Sequence, residues 1–107
     1  MVEQRFDVGL DVEGQDAVVR AAGDLDLASV PRLDAVLEEA FGVGADVARV
    51  VVDASAIEFI DSSGLTALVK AHRRAGEAGL RMVVRDPSER VRRTFALTRL
   101  DGVFEIE

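Results

Sequence analysis

At 107 residues the chain has room for a single core and one domain, residues 1–107. Hydrophobic residues make up 49% of it, enough for a packed interior, yet no apolar run could span a bilayer and Glu3, Asp7 and Asp11 interrupt any signal-peptide layout. A net charge of −7 argues against general nucleic-acid binding; the lack of cysteines excludes disulfides and thiolate metal sites and fits a cytoplasmic protein.

In chain order, Phe6-Asp7-Val8-Gly9-Leu10-Asp11-Val12 alternates as a half-exposed strand should. A turn cluster at Glu13–Asp16 leads into Ala17-Val18-Val19-Arg20-Ala21-Ala22, the returning strand of a hairpin. Gly23 then opens an acidic loop carrying Asp24 and Asp26. Ser29 is expected to cap the first helix, with Pro31 in its first turn and Leu33, Val36, Leu37, Ala40 and Phe41 as its buried stripe. The Gly42–Gly44 region ends it.

Val50-Val51-Val52 reads as a short central strand covered on both faces, followed by a loop to Asp61-Ser62-Ser63-Gly64. The next helix is predicted from Ser62 to Ala75, with Leu65, Leu68, Val69 and His72 as its buried face. At about 100° per residue, Ser63 falls roughly 170° from the centre of that face, pointing outward with Ala67, Lys70 and Arg74. Ser62 falls about 70° away, near the core edge, where it or Asp61 can cap. Leu80–Val84 is the next strand. Asp86-Pro87-Ser88-Glu89 is a helix-start pattern with Asp86 as cap, and Val91, Thr94, Phe95 and Thr98 form a weak inward face. Val103–Ile106 closes the chain as a short strand or an extended tail.

This order, β-β-α-β-α-β-α-(β), implies a mixed α/β sheet with crossover helices mainly on one face, and gathers Asp24, Asp26, Asp61, Ser62 and Ser63 at one end. Charge is uneven: residues 1–69 carry a net −10 and residues 70–99 a net +6. The basic stretch is spread over several elements, so Arg90, Arg92 and Arg93 read as a solvated helical face. His72, the single histidine, cannot form a His-based metal site by itself, and its place on the apolar face makes it a packing residue.

Free N–H groups at a helix start tolerate an added anion, so an exposed serine there can accept a phosphate. Plain capping by Asp-Ser-Ser is the competing reading. The segment Asp61-Ser62-Ser63-Gly64-Leu65 after an apolar strand resembles the central signature of the STAS domain of bacterial anti-sigma factor antagonists. Gly23-Asp24-Leu25-Asp26 is similar to that family's Gly-Glu-Leu-Asp, with Asp24 in place of glutamate and Ser29 where threonine is common. The similarity extends to Phe95–Ile106 and so covers essentially the whole chain. The fold it implies is a STAS-like mixed sheet of four to five strands with about three helices.

The resemblance implies that Ser63 is the phosphoacceptor, the residue also favoured by the helix wheel. It implies as partners an anti-sigma factor serine kinase with a histidine-kinase-like ATPase fold and a metal-dependent serine phosphatase. Neither a membrane nor nucleic acid is an expected direct partner, and no cofactor or metal is expected. The expected partner surface is Asp24, Asp26, Asp61, Ser62, Ser63, Gly64, Ala67 and Lys70. For Asp26, capping of the following helix competes with partner contact. The alternative function is a STAS-like scaffold or a subunit of a stress-signalling or lipid-transport complex, with the serines serving only the helix start or a different kinase. A hydrolase is set aside: no Gly-x-Ser-x-Gly elbow is present, and His72 lies roughly 14 Å along the helix from the serines.

Overall fold

A computed structural model describes residues 5–107. Five strands lie side by side in chain order: β1 (Phe6–Glu13), β2 (Asp16–Leu25), β3 (Arg49–Ile60), β4 (Arg81–Arg85) and β5 (Glu105–Ile106). The β1–β2 hairpin is antiparallel, and the other three pairings are parallel. The connections between parallel neighbours carry α1 (Val30–Phe41), α2 (Ser62–Glu77) and α3 (Glu89–Leu97), with a 3-10 turn at Leu100–Gly102 before β5. Each crossover advances one strand in the same direction, so a common right-handed turn places all three helices on one face. The mixed sheet with helices on one face is therefore as expected, and the chain's end is a fifth strand.

Alternate residues define that helical face. Val19, Val50, Val52, Met82 and Val84 share a core with Leu33 and Leu37 of α1, Leu68 of α2, and Val91 and Phe95 of α3. Phe104 closes it, edge-on to Phe95 at 5.2 Å and to His72 at 6.1 Å. His72 is thus a packing residue.

The opposite face has no helix over it among the described residues, yet β3 is covered on both faces as expected. Val18, Val51 and Val83 pair across the three central strands and are fully buried, yet no helical side chain joins their cluster. The rows on either side are charged. Arg49 pairs with Asp16 and Glu107, and Arg85 with the same two carboxylates. Arg20 pairs with Asp11, Glu13 and Asp53, and Arg81 with Glu105. Long aliphatic arginine stems flanking an apolar row can cover it while their heads remain in water. The Arg49 guanidinium, hydrogen-bonded to the Asp16 carboxylate, holds it below the usual carboxylate range. Glu107 is lowered in the same way, first by Arg85 and then by Arg49.

Two strands run further than the sequence pattern suggests. β2 continues through the expected acidic loop to Leu25, and β3 continues to Ile60. Irregular pairing hides both extensions. Ala54 and Ser55 stand against the single residue Ala21, and the Asp53 carboxylate holds this bulge by accepting from Ser55 N and Oγ at 3.1 and 2.7 Å. A second shift follows at Gly23/Asp24. Strict alternation is lost at each, so the period-2 signal breaks while the strand persists. The start of α3 is also displaced: Ser88 caps it by accepting from Val91 N at 3.2 Å, whereas Asp86 sits outside at φ 54°.

Candidate functional site

Parallel pairing of Leu25 with Ile60 brings the ends of β2 and β3 abreast. Asp61 N donates to Leu25 O at 3.2 Å, stitching the two exits together. Asp61 is extended, and its carboxylate accepts from Gly64 N at 3.1 Å, so it is the N-cap of α2. The role of Gly64 follows from close approach. A Cβ there would lie 2.7 Å from Leu25 O and 2.8 Å from side-chain carbons of Leu25 and Ile60. Gly64 is buried. Its expected place on a partner surface is corrected: it lets the helix start seat against the strand ends.

The β2–α1 connection is tied by its own polar groups. The Asp26 carboxylate accepts from Ala28 N and Ser29 N, both at 3.1 Å. The Ser29 hydroxyl donates to Asp24 O at 2.8 Å and accepts from Asp26 N at 2.9 Å. Ser29, at 1% exposure, makes no side-chain cap to α1, so the expected capping role passes to a turn organised by Asp26. This geometry favours a structural role for Asp26. Asp24 remains exposed. Leu27, in the turn between Asp26 and Ser29, is 74% exposed.

The orientation of α2 differs from the expected one, and with it the order of the serines. Its buried face is Gly64, Ala67, Leu68, Ala71 and Ala75, with Leu65, Val69 and His72 only half-buried beside it. Small residues let the helix approach the sheet and α1 closely, so the face centres on them rather than on the larger apolar residues. This turns the helix by roughly a quarter-turn from the wheel expectation. Ser62 is consequently exposed and does not cap, Ser63 is half-buried, and Ala67 lies inside at 4% exposure instead of sharing an outward stripe with Lys70 and Arg74. The helix wheel no longer selects Ser63, and that assignment stands on the resemblance alone.

Ser62, Ser63, Thr66 and Lys70 nevertheless line one shallow, open cleft of about 300 Å³, bordered also by Leu27 and Val30. Thr66 Oγ1 donates to Ser62 O at 2.9 Å. A neighbouring cleft of about 180 Å³ continues between α1 and α2 past Lys70 to Arg74, which pairs with Glu38 and lies 5.1 Å over the Phe41 ring. A larger hollow of about 450 Å³ lies on the open sheet face over Gly9, Ala22 and Ala56, apart from the serines. Sequence reasoning missed Leu27, Val30 and Thr66. An exposed leucine inside an acidic loop was a detectable signal for the first; the others depend on how α1 and α2 dock. Among the described residues, no group of three or more acidic or histidine side chains could hold a metal ion, and no helix is long and apolar enough to cross a membrane.

Comparison with known proteins identifies the family and the fold. A family model described as "Mlab, STAS domain" matches residues 8–106. A crystal structure of an anti-sigma factor antagonist from Mycobacterium paratuberculosis is 27% identical, with a TM-score of 0.77 over 95% of this chain and 85% of that one. The anti-sigma factor antagonist SpoIIAA in its unphosphorylated form is 22% identical, with a TM-score of 0.70 over 94% of this chain and 87% of that one. The Bacillus cell fate determinant SpoIIAA in its phosphorylated form gives 24%, 0.70, 94% and 91% respectively. At their identities, the two SpoIIAA likenesses are likenesses of fold.

Proposed function

The chain belongs to the STAS domain family, and from that membership we propose that it is an anti-sigma factor antagonist switched by phosphorylation at Ser63. Unphosphorylated, it binds an anti-sigma factor serine kinase with a histidine-kinase-like ATPase fold and displaces the sigma factor. Ser63 Oγ attacks the γ-phosphorus of ATP held by that partner, the bond to the bridging oxygen breaks, ADP leaves and the hydroxyl proton is released. A metal-dependent serine phosphatase hydrolyses the ester and restores the binding form. The domain is a regulator acting in the cytoplasm and has no catalysis of its own.

One observation carries this reading: both serines line a cleft whose rim holds the exposed Leu27. An apolar anchor beside a modifiable hydroxyl is a surface on which a small chemical change acts directly on docking. Phosphate adds about −1.5 to −2 charges at neutral pH. It would arrive close to Asp61 and the Asp24–Asp26 loop, so a packed partner meets like-charge repulsion and desolvation while the domain stays folded. Within this surface, Asp24, Ser62, Ser63 and Lys70 contact the partner, and Asp26 and Asp61 shape the two loops.

The test is incubation with histidine-kinase-like anti-sigma factors and labelled ATP, with mass-spectrometric mapping of the product. Phosphate is expected at Ser63. Ser63→Ala is expected to bind persistently and to refuse phosphate, and Ser63→Asp to fold normally but bind poorly. Phosphate at Ser62, the more exposed hydroxyl, or undiminished binding by Ser63→Asp, overturns the assignment. The partial cover of Ser63 favours one other reading, a scaffold or complex subunit in which the serines only begin a helix. In that case the anti-sigma factor kinases modify neither serine and Ser63→Asp leaves binding to them unchanged.

A further inference from the structure

Lys70 is the cationic side chain that lines the serine cleft, together with Ser62, Ser63, Thr66, Leu27 and Val30. Two basic neighbours are engaged elsewhere: Arg74 pairs with Glu38 and lies over Phe41, and Arg32 lies 5.6 Å over the Phe6 ring. None of the ion pairs among the described residues involves Lys70. Carboxylates dominate the rest of this end of the domain, with Asp24, Asp26 and Asp61 in the two loops.

The helix relates Lys70 to Ser63 closely. Seven residues bring them within about 20° on the wheel and about 10 Å along the axis. Helical side chains lean toward the N-terminus, and a lysine's flexible four-carbon stem spans about 6 Å of that separation. A phosphoryl group on Ser63 Oγ extends from the other end. Thr66 lies between them, but its hydroxyl is already donated to Ser62 O.

We propose that Lys70 pairs with the phosphate carried by Ser63, so that modification fills the cleft with an internal ion pair. This rests on Ser63 being the modified residue. The pair supplies a counter-charge inside the cleft, among the surrounding carboxylates, and it occupies the space beside Leu27 that a partner side chain would otherwise enter. Phosphorylation then ends binding by filling the cleft as well as by repulsion. Lysine at this position decides how strongly the phosphate is held.

The experiment installs phosphoserine at position 63 by genetic encoding, with no kinase involved, and follows the phosphate by phosphorus NMR through a pH titration. Its second pKa is expected below the ordinary value of about 6. Lys70→Gln is expected to raise it by about 0.7 unit, the Coulomb effect of one unit charge near 4 Å in water. Lys70→Arg is expected to keep the low value, since a guanidinium also pairs with phosphate. Circular dichroism confirms that both variants of this exposed residue are folded. Equal pKa values in all three proteins overturn the role of Lys70, whatever phosphorylates Ser63. Failure of any kinase to modify Ser63, with the pKa shift present, instead overturns the switch while leaving the pairing chemistry intact.

Discussion

On its helical face the sheet buries Val50, Val52 and Val84 under leucine and phenylalanine side chains; on the opposite face Val18, Val51 and Val83 are buried as completely between rows of ion-paired arginines and carboxylates. The first cover is provided by the mostly apolar side chains of helices. The second is provided by charges, which keep a helix-free sheet face wetted and tie its sensitivity to proton and salt concentration. Full burial of a side chain therefore says little about what covers it. The serine cleft belongs to the helical side, so the proposed switch is separate from the charged lattice.

The largest effect is expected where the helical face is densest. Leu68→Ala should cost about 2–5 kcal/mol of unfolding free energy, measured by denaturant titration. A loss below about 1 kcal/mol would mean that α2 is not held by this core. Gly64→Ala is expected to cost about 1–3 kcal/mol by forcing the helix start off Leu25 and Ile60. It should also weaken partner binding, because the cleft moves with the helix. Unchanged stability would show that the contact can relax freely.

Val51→Ala and Val52→Ala set the two covers side by side. Each removes the equivalent of two buried methylenes, about 1.6 kcal/mol. Equal losses are expected if the charged lattice excludes water from Val51 as well as the helices do from Val52. A much smaller loss at Val51 would show that the lattice is porous. Replacing Asp26 by alanine should cost about 1 kcal/mol by removing the acceptor for Ala28 N and Ser29 N, whereas Asp26→Asn retains an acceptor and most of the stability. Strong loss of partner binding in Asp26→Asn, with stability intact, would return Asp26 to the contact surface.

The smallest effect is the pH response of the charged face. The carboxyls of Asp16 and Glu107 are lowered in the folded state by hydrogen bonds from arginine. A lowered folded value means that their contribution is fully present above the unfolded carboxylate range near pH 4 and is lost as pH falls through the folded values. Denaturation midpoints should therefore decline as pH falls below about 4. Asp16→Asn should flatten part of that decline, and added salt should blunt it. A decline of the same steepness in Asp16→Asn would remove Asp16 from the lattice's pH response.

Element order, helix existence and family were legible in the sequence because they rest on local signals: β-branched runs, alternation, Pro31 in a first turn, and the Asp61-Ser62-Ser63-Gly64 segment at a strand exit. One-face packing followed from the order of crossovers. What depended on tertiary contact was not legible. The bulge held by Asp53 and Ser55 breaks the period of β3 without ending the strand, so a twelve-residue strand looked like a short one. The orientation of α2 was set by how near the helix can approach Leu25 and α1, a steric quantity decided by Gly64, Ala67 and Ala71 rather than by hydrophobic size. That rotation exchanged the exposures of Ser62 and Ser63. The sequence by itself determined that two serines begin this helix; only the packing of the helix against its neighbours decided which of the two is exposed and which is half-buried in the cleft they share with Lys70.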